Sequence, residues 1–160
     1  MPIWFYYSLL ALCCVYALLK GGAPERIGTA ILAVGSILTL VTLWGRTNQY
    51  RSVAPGVILI DMVCLLAFLV LALRAERYWP LWITALQFIG AAAHAVRLAD
   101  PAIIGRAYAF ALAFWSYPML LLIALGTYRH QQRLARNGVD PSWSTFSARS
   151  DRAPQDGPTV

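Results

Sequence analysis

Charge is what this sequence has least of: Asp, Glu, Lys and Arg make up 12% of its 160 residues, about half the share usual in a soluble domain. A water-soluble domain of this size leaves roughly a third of its unfolded surface exposed. With 59% hydrophobic residues, the chain has too few polar groups to cover that surface. Lipid as the main solvent removes the contradiction. Cysteine is scarce too. Cys13, Cys14 and Cys64 lie inside apolar blocks, with no CxxC and no histidine at ligand spacing. They read as small buried hydrophobes, which argues against a zinc site, a disulfide framework or any other metal centre.

The motifs of common enzymes are missing as well. There is no GxxxxGK[ST], no HExxH, no GxSxG and no set of convergent carboxylates, so the expectation is a non-enzymatic protein. Gly21-Gly22 and Gly105 read as helix caps rather than phosphate cradles. The first apolar block has no basic n-region and no A-x-A cleavage site, so it reads as a span rather than a signal peptide. No internal repeat occurs at a convincing period. The formal net charge of +6 is spread between the apolar blocks and the tail, an arrangement typical of polytopic membrane proteins and not of a nucleic-acid interface. A haem clamp between the two histidines is excluded by level. His94 belongs near one surface and His130 just beyond the other, about 30 Å apart, and no cofactor is expected.

What is present is a series of five apolar blocks, at about residues 3–19, 27–44, 54–73, 81–98 and 102–128. The pattern predicts an all-α polytopic integral membrane protein, a bundle of five transmembrane helices. Lys20-Gly21-Gly22 ends the first, and Pro24 with Glu25 belongs to the turn before the second. Pro55 is acceptable in the first turn of the third. Tyr78-Trp79-Pro80 leads into the fourth at the interfacial level. Asp100-Pro101 is an N-cap followed by proline for the fifth. That last block, roughly 40 Å long, exceeds a hydrocarbon core of about 30 Å and is expected to tilt. Pro118 is expected to kink it.

Small residues concentrate in the second block (Gly28, Ala30, Ala33, Gly35, Ser36) and the fourth (Gly90 to Ala93, Ala95). These two helices are therefore expected at the centre. The first and fifth, with Tyr108, Phe110, Phe114, Trp115 and Tyr117 on the fifth, are expected to face lipid. Residues 1–136 thus form one transmembrane domain ending in a short basic helical extension, closed by Asn137-Gly138. Residues 137–160, rich in Ser, Pro, Asp and Arg, read as a disordered tail. Arg129, Arg133 and Arg136 on the extension are expected to contact anionic lipid headgroups.

Five spans put the termini on opposite sides. Lys20, Arg26, Arg74, Arg77, Arg129, Arg133 and Arg136 fall on the tail side, against Arg46, Arg51, Arg97 and Arg106 on the other. This favours a cytoplasmic tail and an external N-terminus. Short loops without eukaryotic sorting signals point to a bacterial inner membrane.

One constellation could carry chemistry. An ionisable group deep in an apolar block costs about 2.5 to 3.5 kcal/mol on insertion scales, which makes it a functional candidate. Asp61 lies roughly 10 Å into the third block. The fourth helix runs the opposite way, which brings His94 to about the same level, with Gln87 two turns along the same face and Arg97 nearby. Thr39, Thr42 and Ser116 fall in the same half of the bilayer. The expectation is an intramembrane cluster of Asp61, His94, Gln87 and Arg97. Such a cluster can tie two helices together, in a structural or accessory membrane subunit working with other copies or other membrane proteins. Alternatively, a carboxylate beside an imidazole can be a proton or cation site in a small transporter or channel.

Overall fold

The computed structural model describes residues 3–44, 55–99, 105–140 and 142–143, with Ile3 and 105–113 described by their helical backbone alone. Five helices follow one another: α1 (Ile3–Lys20), α2 (Ala23–Leu43), α3 (Pro55–Arg74), α4 (Trp79–Ala99) and α5 (Gly105–Asn137). Among the described residues there is no strand beyond a single antiparallel bridge between Ala75 and Trp143.

Helix boundaries differ from the apolar blocks where polar residues join the first or last turn. Pro24 and Glu25 are inside α2 rather than in the turn before it. Gly22 serves as N-cap, and a proline in the first turn removes an N–H that has no intrahelical partner. The basic extension continues the fifth helix. α5 is one helix of 33 residues with Pro118 in its interior. It ends where Gly138 turns to φ +71° and donates its N–H to the Leu134 carbonyl at 2.9 Å, an ending that favours glycine. The cap expected at Asp100-Pro101 lies outside the described residues.

Consecutive helices run antiparallel. Gly35 faces Cys64 and Gly56 faces Thr42 across α2 and α3, while Trp79 reaches Gly126 across α4 and α5. α1 and α5 run parallel, with Phe5 against Tyr117 near one end and Gln131 donating to the Lys20 carbonyl near the other. The helices close into a ring, α1 to α2 to α3 to α4 to α5 and back to α1, with α2 and α5 also touching across the middle. The central pair is thus α2 and α5, and not the expected second and fourth helices. The reason is visible at the glycines. A Cβ on Gly28 would fall 2.6 Å from the Trp79 ring and one on Gly35 2.7 Å from Cys64 Sγ, whereas one on Gly90 would meet nothing within 4 Å among the described residues. Small residues of α2 serve close approach inside the bundle, and Gly90 of α4 does not. Tyr117 of α5 turns inward too, edge-on to Tyr6.

Phe68, Ile83, Leu120 and Ile123 are the largest apolar side chains with essentially no exposure, and Leu10, Ala17, Leu32, Leu71, Met119 and Trp79 surround them. The outward faces are apolar as well, with Trp4, Leu19, Val41, Leu66, Phe88 and Leu121 all exposed. An exterior of this kind exceeds the isolated patches of a soluble monomer. Among the described residues three helices, α2, α3 and α4, are long and apolar enough to cross a membrane, fewer than the five expected. The apolar stretch Trp4–Lys20 of α1 is too short by the same measure. In α5 the apolar half runs on into the charged segment from Arg129 to Arg136.

Candidate functional site

Two polar clusters lie toward opposite ends of the bundle. The first is built from α3 and α4. Asp61 stands about 9 Å into α3 and His94 about 7 Å from the end of α4, and the antiparallel hairpin puts both at one level. Nε2 of His94 is 2.6 Å from Oδ2 of Asp61, so the imidazole tautomer protonated there donates to the carboxylate. Gln87, two turns earlier on α4, donates its Nε2 to Asp61 Oδ1 at 3.2 Å and to the Asp61 carbonyl at 3.3 Å. His94 is buried, while 23% of the Asp61 side chain stays exposed. Arg97 lies one turn beyond His94, also buried. The structure thus brings Asp61, Gln87 and His94 into contact. The described hydrogen bonds to the Asp61 carboxylate come from Gln87 and His94. Near the same end, Tyr6 and Ser36 share a hydrogen bond of 2.9 Å, and Tyr7 donates to the Ser36 carbonyl at 3.2 Å.

The second cluster was not singled out by the sequence. Glu25, in the first turn of α2, has no exposure. Its Oε1 accepts from Trp79 Nε1 at 3.1 Å and lies 3.6 Å from Arg77 Nε. The Arg77 guanidinium, in the short α3–α4 connection, reaches past Glu25 to Asp140 and grips both carboxylate oxygens, at 2.8 and 2.6 Å. A planar fork matched to a carboxylate in this way is the strong form of the pair. Asp140 also takes His130 Nδ1 at 2.6 Å and Arg133 Nε at 2.9 Å. Two turns of α5 and the α3–α4 connection are thereby held by one tail residue, and Arg77 lies between it and Glu25 at the start of α2. The first residues of the segment expected to be disordered are therefore fixed in place, and Trp143 reaches back to pair with Ala75. The structure turns Arg133 toward Asp140, while Arg129 and Arg136 remain exposed on the extension. The Tyr78-Trp79 pair splits. Tyr78 is exposed and Trp79 is buried.

Burial alone would raise the Asp140 carboxyl, but the hydrogen bonds from Arg133, Arg77 and His130 and the Arg77 charge outweigh it. Together they hold the group at about 2, below the ordinary 3.8. A carboxyl depressed by folding stabilises the folded state above its unfolded value and loses that contribution as pH falls through the folded one. The fold-back of the tail is expected to hold from neutrality to about pH 4 and to be lost between about 4 and 2. Spin-label mobility at Ser142→Cys across that range checks this. Ordering that survives unchanged below pH 2 would show that Asp140 is not what holds the tail.

Between the clusters the interior is apolar. Ile83 separates Trp79 from Gln87 on α4, and Phe68 and Leu71 separate Asp61 from Arg77 along α3, with Leu120 and Ile123 of α5 in the same core. Among the described residues no three His, Cys, Asp or Glu side chains are placed to hold a metal ion. No protein family, characterised protein or solved structure matches the chain.

Proposed function

We propose that the chain is an integral membrane protein of five spans whose role is structural or accessory rather than enzymatic, with the Asp61 cluster tying α3 to α4. The observation that carries this reading is that both oxygens of the Asp61 carboxylate are taken by side chains of α4, His94 and Gln87. A continuous apolar layer around Ile83 and Phe68 then separates this cluster from the polar groups at the other end. In this reading α1 crosses as a short span and α5 as a long one whose basic end leaves the bilayer. The N-terminus is external and the tail cytoplasmic, as the distribution of Lys and Arg favours, and the short loops without eukaryotic sorting signals support a bacterial inner membrane. Arg129 and Arg136 then lie at the level of anionic headgroups. The space over Gly90, open among the described residues in contrast to the filled space over Gly28 and Gly35, leaves the Gly90 face of α4 for a neighbouring helix from another subunit or a second copy.

The transporter or channel reading has one observation in its favour, the residual exposure of the Asp61 side chain beside a buried imidazole. The two readings separate in one set of variants. Helix tying predicts a coupling of about 0.6 to 1.7 kcal/mol between Asp61→Ala and His94→Ala in a double-mutant cycle of unfolding in micelles. It also predicts proteoliposomes whose proton leak is the same for wild type and Asp61→Asn. Zero coupling together with a leak abolished by Asp61→Asn would replace the structural reading by the transport one.

A further inference from the structure

The second cluster has an architecture that a structural tie does not require. Its donors come from the folded bundle, Arg77 from the α3–α4 connection and His130 and Arg133 from successive turns of α5. Its central anion comes from the tail beyond the last helix. Asp140 follows the reversal at Gly138 and inserts a side chain that is only 3% exposed. The cradle therefore belongs to the bundle and its occupant to a detachable strap.

The donors also exceed what the occupant uses. The Asp140 carboxylate already accepts four hydrogen bonds, two from Arg77 and one each from His130 and Arg133, which fills the acceptor sites of a carboxylate. Arg133 Nη2 nevertheless stays buried without a partner. Charge gives the same message. With Asp140 in place, two carboxylates, Glu25 and Asp140, face two guanidinium groups. If Asp140 leaves, Arg77, Arg133 and the His130 imidazole face Glu25 alone. The vacated cradle would be a partly buried pocket of net positive charge, with Arg77 inside and Arg133 at its rim, and an anion with a third oxygen would use the donor that a carboxylate leaves idle. Guanidinium groups recognise phosphate through the same paired geometry that Arg77 shows here. The position fits as well. The pocket sits on the side where Lys20 ends α1 and Arg77 lies in the α3–α4 connection, with His130 two turns before the end of α5, at the headgroup level of the membrane arrangement proposed above.

We propose that Arg77, His130 and Arg133 form a binding site for a phosphate group, and that Asp140 is its built-in occupant, so that the tail and the phosphate compete for one cradle. The phosphate can belong to an anionic lipid headgroup or be free in solution. Binding it releases Asp140 and the Trp143 pairing from the bundle. The site rests on the hydrogen bonds of Asp140 and not on the role assigned to Asp61, so either can fail without the other.

The test uses the full-length protein in maltoside micelles and in vesicles. Inorganic phosphate is titrated by calorimetry, and binding is compared between phosphatidylcholine vesicles with and without phosphatidic acid. Removing an intramolecular competitor raises apparent affinity by the inverse of the fraction of open cradle, so Asp140→Asn is expected to bind about tenfold tighter than wild type. Adding Arg133→Gln to it should reverse that gain. Tightening in the vesicles alone assigns a lipid phosphate, and tightening with inorganic phosphate alone assigns a soluble one. In the wild-type chain, phosphate or phosphatidic acid is expected to speed trypsin cleavage after Arg136, which carries the test even if Asp140→Asn folds poorly. Equal affinity of Asp140→Asn and wild type in both arms, or phosphate binding that leaves tail cleavage unchanged, would overturn the proposal.

Discussion

Arg77→Ala is expected to cost the folded protein about 3 to 5 kcal/mol, the range for removing one partner of a buried ion pair. The side chain is nearly fully buried and serves two carboxylates at once. Its loss leaves Glu25, which has no exposure, with Trp79 as its remaining described donor, and takes two of the four hydrogen bonds from Asp140. An uncompensated buried carboxylate is far more costly than the pair itself is stabilising, which sets the size of the effect. Helical circular dichroism of the micelle-solubilised protein against denaturant measures it. Arg77→Lys should fall between wild type and Arg77→Ala, because an ammonium keeps the charge and loses the fork. Arg129→Ala, at an exposed position of the same charge, should stay within about 0.5 kcal/mol of wild type. If Arg77→Ala is no worse than Arg129→Ala, the cluster does not hold the helix ends together. Combining Arg77→Ala with Glu25→Gln should restore part of the loss, since the orphaned charge is then gone.

The two clusters show what a sequence of this kind discloses. Asp61 and His94 were legible because each lies inside an apolar block, where an ionisable group stands out, and because counting antiparallel helices puts them at one level. The same level argument was available for Glu25 and Arg77, which stand at helix ends on one side. They do not stand out, because charges at helix ends are the ordinary pattern of a membrane protein. Asp140 carried no signal at all. It sits among Ser, Pro, Asp and Arg residues whose composition reads as disorder, and its place depends on Gly138 reversing the chain and on three bases already gathered by the bundle. The central pair of helices differs from the expected one for a related reason. Small residues show where a backbone can be approached, and they do not show what approaches. On α2 it is the Trp79 ring and Cys64, on α5 it is the other edge of Trp79 at Gly126, and at Gly90 it is nothing within 4 Å among the described residues.

That ring carries the second large expectation. Trp79→Ala should destabilise the protein by about 3 to 5 kcal/mol, as large aromatic truncations in well-packed interiors do. Trp79 opens α4, but its indole lies across the bundle. A Cβ on Gly28 of α2 would come within 2.6 Å of its six-membered ring, and one on Gly126 of α5 within 2.8 Å of Cδ1 and Nε1. The ring thus fills the gap between the two central helices, while its N–H serves the buried Glu25 at 3.1 Å. Trp79→Phe separates these roles. It keeps most of the volume and removes the donor, so it should lose about 1 to 3 kcal/mol, the cost of leaving a buried acceptor short of a partner. The glycines supply the reciprocal test. Gly126→Ala should destabilise by about 1 to 3 kcal/mol despite alanine's better helix propensity, because the ring is clamped from the other side and cannot yield. Gly90→Ala, with open space at its Cβ, should instead gain up to about 1 kcal/mol. A larger residue at Gly126 would occupy volume that Trp79→Ala vacates. Gly126→Leu and Trp79→Ala together should therefore be less harmful than the sum of the two, read as a positive coupling in the same unfolding assay. Strict additivity would mean that the ring does not fill the space between α2 and α5, and that the contact of these two helices rests on their aliphatic side chains instead.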